Sequence, residues 1–86
     1  MSSSSNRPFL RLDGDLFFNH QIGGKTFRIQ VTHSCLGDVF GSDGSMSGDG
    51  QALNANLWRI VEVAAQKAMT GADSPIKVLR RDFNTV

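Results

Sequence analysis

The stretch FLRLDGDLFFNHQIGGKTFRIQV, running from Phe9 to Val31, decides the fold. Two pairs of turn formers, Asp13-Gly14 and Gly23-Gly24, divide it into three runs. Such pairs make hairpin turns because glycine enters positive φ without a Cβ clash. The flanking runs Phe9–Leu12, Leu16–Phe18 and Phe27–Val31 are rich in aromatic, leucine and β-branched residues, the composition of strands. A three-stranded antiparallel meander is therefore expected.

Register follows from asking which turn sets apolar partners opposite one another. A two-residue turn at Gly23-Gly24 pairs Ile22 with Lys25, His20 with Phe27, Phe18 with Ile29 and Leu16 with Val31. These residues share one apolar face, leaving Phe17, Asn19, Gln21, Thr26, Arg28 and Gln30 on the other. At the first turn, a two-residue loop would set Arg11 opposite Leu16 and mix the faces. A three-residue Asp13-Gly14-Asp15 loop instead sets Leu12 opposite Leu16 and Leu10 opposite Phe18. It buries both leucines and sends Phe9 and Arg11 outward, so it is the expected register.

Beyond Val31 the period changes. Thr32 can cap a short helix carrying Leu36 and Phe40 on one side, with Gly41 ending it. Gly37 weakens such a helix by about 1 kcal/mol relative to alanine. Gly41–Gly50 (GSDGSMSGDG) lacks periodicity and reads as a flexible Gly/Ser/Asp loop, with Ser42 to Gly48 dispensable for folding. From Gln51 to Thr70, Leu53, Leu57, Ile60, Val61, Ala64 and Ala68 follow one face of a long helix, with Asp49 as N-cap and Gly71 as stop. Twenty residues would make it about 30 Å long, enough to cross the sheet. Trp58 lies beside the apolar stripe and is expected at the sheet–helix margin. Pro75 to Leu79 reads as a last strand.

The expected fold class is α+β: a small antiparallel sheet in β-β-β-α-α-β order with one long helix packed on one face. Leu53, Leu57, Ile60, Val61 and Ala64 should face Leu16, Phe18, Phe27, Ile29 and Val31. Residues 1–6, a serine tract, are expected to be a disordered tail, and 7–86 a single domain.

The chain of 86 residues is 40% hydrophobic and 20% charged, with a net charge of +1. The apolar fraction is too high for wholesale disorder. The charge balance speaks against an electrostatically driven nucleic-acid binder. One cysteine excludes an intrachain disulfide and suits a reducing compartment. With no signal-like apolar core near Met1 and no apolar run of membrane-spanning length, a soluble cytoplasmic protein is expected.

The Gly24 turn with its following strand, the segment Thr32-His-Ser-Cys-Leu-Gly-Asp-Val-Phe-Gly41, the Leu53–Ala68 helix and the closing Asp82-Phe83 pair together resemble a small bacterial family known as domain of unknown function 1488. The resemblance runs from about Leu12 to Phe83. Two departures are Gly37, where the family usually has a helix former, and a longer Gly/Ser/Asp loop. It implies a compact α+β fold and supplies no activity, cofactor or catalytic residue.

Candidate chemistry is sparse. His33, Cys35 and Asp38 suggest a cysteine–histidine nucleophile, but residues two apart on a helix do not face each other, and a nucleophile needs its base in reach. Cys35 reads better as a small buried hydrophobe. His20, His33 and Cys35 are too few and too scattered for a metal site. Asp38, Asp43 and Asp49 lack calcium-loop spacing and read as turn formers. No catalytic, metal or cofactor site is expected. The outer sheet face is more informative: in the expected register Phe9, Arg11, Phe17 and Arg28 project from it together. Rings left wet in that way suit a non-catalytic protein-binding or regulatory module, acting on a partner or through self-association. The alternative is a weak single-stranded nucleic-acid binder that stacks bases on the same face. A Cys35/His33 enzyme is the least favoured reading.

Overall fold

The computed structural model describes residues 9–83; the tail expected over residues 1–6 lies outside them. Four strands, β1 (Leu10–Leu12), β2 (Asp15–Ile22), β3 (Lys25–Val31) and β4 (Ile76–Val78), form one sheet in the order β1-β2-β3-β4. The fold class is α+β, as expected. The first three strands make the antiparallel meander, but β4 runs parallel to β3. The sheet is thus mixed rather than wholly antiparallel. A parallel neighbour requires a crossover, and the whole helical layer between Val31 and Ile76 provides it.

The Gly23-Gly24 hairpin has the expected register: Leu16 faces Val31, Phe18 faces Ile29, His20 faces Phe27 and Ile22 faces Lys25. The first hairpin does not. Leu10 faces Phe17, Arg11 faces Leu16 and Leu12 faces Asp15, so the turn has two residues, Asp13 and Gly14. Both take positive φ, 53° and 87°. That is the conformation whose twist matches a hairpin, and Asp-Gly is among its preferred sequences. Turn geometry therefore outweighs the apolar match that favoured a three-residue loop. The slip of one residue exchanges the faces of β1. Leu10 and Leu12 turn outward, while Arg11, and Phe9 before it, turn toward the helices.

After Val31, Cys35–Val39 forms a π-helical turn closed by Phe40 N–H to the Cys35 carbonyl at 3.4 Å. The Thr32 hydroxyl accepts the Cys35 N–H at 3.3 Å, and Gly41 leaves the turn at φ 75°. Both punctuation residues thus act as their types predict.

The long helix is two helices. α1 spans Met46–Ala55 and α2 spans Leu57–Met69, with the break at Asn56. Asn56 sits at φ −120°, and its side-chain amide donates to the Ala52 carbonyl at 3.0 Å. The break lets α1 lie against the π-helical turn while α2 lies against β4 and β2. The N-cap is Ser45, whose hydroxyl accepts the Gly48 N–H at 2.9 Å, and not Asp49. The segment read as a loop over 41–50 is accordingly helical from Met46, with Asp49 and Gly50 buried. Low helix propensity is overridden here by tertiary anchoring. Gly50 fits because its surface is covered by the Phe9 ring, which lies 3.0 Å from where a Cβ would stand.

One apolar cluster joins the layers. Leu16, Phe18, Phe27, Ile29, Val31, Ile76 and Val78 come from the sheet, and Cys35, Leu36, Leu53, Ile60 and Ala64 from the helical side. Leu57 and Val61 pack against it half-buried. The expected helix-on-sheet core is therefore present. Trp58 is not at its margin: it is 69% exposed.

Candidate functional site

The pairing register builds the outer face of the sheet row by row. Leu10, Phe17, Gln30 and Lys77 are successive neighbours across all four strands. Leu12 lies two residues along from Leu10 on the same side, and Arg28 two along from Gln30. Leu10 and Leu12 are 48% and 50% exposed, Phe17 is half-buried, and Arg28 and Lys77 are exposed. With strands about 4.8 Å apart, the face grades over roughly 10 Å from an apolar end on β1–β2 to a cationic end on β3–β4. Neither Arg28 nor Lys77 makes an ion pair among the described residues. Asp15 is the only carboxylate on the four strands. It is already engaged, accepting from the Gln30 amide at 2.8 Å and from the His33 N–H at 2.7 Å.

Of the four residues expected on this face, Phe17 and Arg28 are there and Phe9 and Arg11 are not. Phe9 covers Gly50 and packs on the core. Arg11 donates from Nε to Asp49 Oδ2 at 3.0 Å and from Nη2 to the Gly44 carbonyl at 2.8 Å. Asp49 is wholly buried and also accepts the Ser42 hydroxyl, and Ser42 Oγ in turn accepts the Gly44 N–H at 3.1 Å. This closed network ties the start of α1 to β1. It is a structural lock, since no buried side-chain polar atom in it lacks a partner within the fold. Leu10 and Leu12 were missed as surface residues, although the Asp-Gly pair is itself the signal that fixes their direction.

The residues weighed for catalysis do not converge. The Cys35 thiol is buried in the core, and burial pushes its pKa up to about 12, with the Asp82 carboxylate adding to the rise and the Arg59 guanidinium opposing it. Such a thiol carries almost no thiolate at neutral pH and is a poor nucleophile. The His33 ring lies against Gly14 in the first turn. Asp38 is exposed and paired with Arg80 at 3.0 Å. No group of three or more His, Cys, Asp or Glu placed to hold a metal occurs among the described residues. Asp43 caps the turn before α1 by accepting the Ser45 N–H and hydroxyl, which lowers its pKa.

The C-terminal part forms a second structural lock. Arg80–Phe83 is a 3-10 turn. Phe83 meets Phe40 edge to face at 5.2 Å, and the Arg59 guanidinium lies over both rings at 5.3 and 5.4 Å. Asp82 pairs with Lys67 at 2.7 Å.

A second exposed apolar area exists on α2, where Trp58 and Met69 (83% exposed) stand three turns apart. No helix of the described residues is long and apolar enough to cross a membrane. No family profile, curated protein or solved structure matches the chain.

Proposed function

We propose that this chain is a non-catalytic protein-binding module, working in a reducing, cytoplasmic setting, that docks a partner protein on the outer face of its sheet. The observation that carries this reading is the row Leu10–Phe17 with Leu12 beside it, large apolar side chains clustered on a face that no layer of the core requires. Exposed side chains of this kind are ordinary when single and informative when contiguous. A binding interface wants such an apolar centre with a polar rim, and Arg28, Lys77 and Gln30 provide the rim. The kinship with the domain of unknown function 1488 family is put forward on the same footing and adds no activity. The nucleic-acid alternative is weakened by the loss of Arg11 to Asp49 and of Phe9 to the core. One ring and two cations are a small platform for stacked bases.

Affinity capture from the source organism's extract, with wild type, Phe17→Ser and Trp58→Ser compared at equal folded concentration, tests the reading. A prey lost with Phe17→Ser and retained with Trp58→Ser is the expected result. A prey lost only with Trp58→Ser would move the site to α2 and end this proposal.

A further inference from the structure

Resting on that reading, we infer that the partner presents an acidic amphipathic segment, with its apolar side chains over Leu10, Leu12 and Phe17 and its carboxylates over Arg28 and Lys77. The outer face carries one carboxylate, Asp15 at the Leu12 end, which Gln30 and His33 already engage, and its cations stand at the other end. Arg28 and Lys77 carry no ion pair among the described residues, whereas Lys25, Lys67, Arg11 and Arg80 each have a carboxylate partner within the fold. Arg59, stacked on Phe40 and Phe83, and Arg81, in the C-terminal turn, also lack an ion pair among the described residues but lie off the sheet. The two unpaired strand cations are thus grouped at one end of one face, and the row Leu10–Phe17–Gln30–Lys77 joins them to the apolar end.

That arrangement discriminates among occupants. A second copy of this chain laid on the same face brings one strand carboxylate, Asp15, which Gln30 and His33 already hold. It would set cations against cations or against leucines, and like charges in an interface are costly. A single-stranded nucleic acid would supply phosphates for Arg28 and Lys77, yet Leu10 and Leu12 offer aliphatic surface where bases need rings. A segment with one apolar and one acidic side satisfies both ends. Charge pairs at such a rim contribute more to selectivity and encounter than to bulk affinity.

The test titrates the full chain with a short synthetic peptide carrying a leucine stripe and glutamates elsewhere, then with its lysine counterpart and with an oligothymidine, following backbone amide chemical shifts. The glutamate peptide should bind about tenfold more tightly than the lysine peptide at low salt, as two partly exposed charge pairs allow. The advantage should shrink at high salt, and the shifts should fall on β1, β2 and the Arg28 and Lys77 amides. Arg28→Glu with Lys77→Glu should reverse the preference, and Phe17→Ser should weaken both peptides while leaving the chain folded. Leu12→Ser serves where Phe17→Ser proves unstable. If Phe17→Ser weakens binding but charge reversal changes nothing, the acidic partner is wrong and the docking face stands. If the shifts fall around Trp58, or neither serine variant has any effect, the docking face fails as well. Tighter binding of oligothymidine to the same residues, concentration-dependent shifts there without peptide, or binding of neither peptide would each overturn the inference.

Discussion

At the scale of single residues, the Arg11–Asp49 pair has unequal ends. The Asp49 side chain is 1% exposed and the Arg11 side chain 28%, so each partner would be stranded differently. Removing Asp49 leaves a guanidinium that can still reach water. Removing Arg11 leaves a buried carboxylate with Ser42 as its remaining hydrogen-bond donor, the situation in which breaking a buried pair costs about 3–5 kcal/mol. Arg11→Met should therefore destabilise the chain more than Asp49→Asn in urea titrations. The double change Arg11→Met with Asp49→Leu should lie closer to wild type than Arg11→Met alone. Cys35 gives a second prediction, in pH. Its folded pKa of about 12 stands above the ordinary 9.0, so the folded chain holds a proton that the unfolded chain releases. Stability from this site is whole below pH 9 and declines as pH rises toward 12, by up to about 1.4 kcal/mol per pH unit. The chain contains no tyrosine, so Cys35→Ala should flatten the fall in urea midpoint between pH 9 and about 10, just below the ordinary lysine range. An equal fall in the variant would assign the decline to other groups.

At the scale of elements, α1 owes its start to Ser45, and Ser45→Ala should cost about 1 kcal/mol, read from thermal melts. Trimming residues 42–48 to a shorter glycine–serine connector should cost more than that cap alone, because it also removes the Ser42 hydroxyl and Gly44 carbonyl that hold Asp49 and Arg11 in place. An unchanged melting temperature would restore the view of this segment as a dispensable loop. These elements also show what the sequence made legible. The β2–β3 hairpin could be read because Leu16, Phe18, Ile29 and Val31 alternate cleanly with polar neighbours, and a local period of two needs no tertiary information. α1 could not. Its first turn is Met46-Ser-Gly-Asp-Gly50, a composition that local rules assign to loops, and what stabilises it lies some forty residues away in Arg11 and Phe9. The direction of β1 was misread for the converse reason. An arginine opposite Leu16 looks like an error until its buried carboxylate is known, and that carboxylate sits in the segment whose helix was invisible. The apolar half of the candidate face went with it, since Leu10 and Leu12 surface only in the two-residue turn.

At the scale of the whole molecule, the fold is a two-layer domain in which neighbouring residues on one strand have opposite consequences. Leu16 is wholly buried beneath the helices, and Phe17 faces outward between Leu10 and Gln30. A chain of this length has a total stability of about 4–13 kcal/mol by the usual per-residue range. Leu16→Ala, which empties a core position, should cost about 2–5 kcal/mol of it, enough to lower the urea midpoint steeply or leave the chain unfolded. Phe17→Ser removes a larger side chain one position away and should cost less, because the ring is only half-buried and serine restores contact with water. Ile60→Ala, from the facing layer, should behave as Leu16→Ala does, and Leu12→Ser as Phe17→Ser does. The four variants thus form two pairs separated by whether the side chain lies between the layers or on the outer face, and not by size or hydrophobicity. Urea midpoints with unchanged slopes would express that separation as stability alone. Should Phe17→Ser and Leu12→Ser both prove as damaging as Leu16→Ala, both faces of the sheet are covered in solution. The outer face would then belong to the core rather than to a partner, and the functional proposal would fall with it.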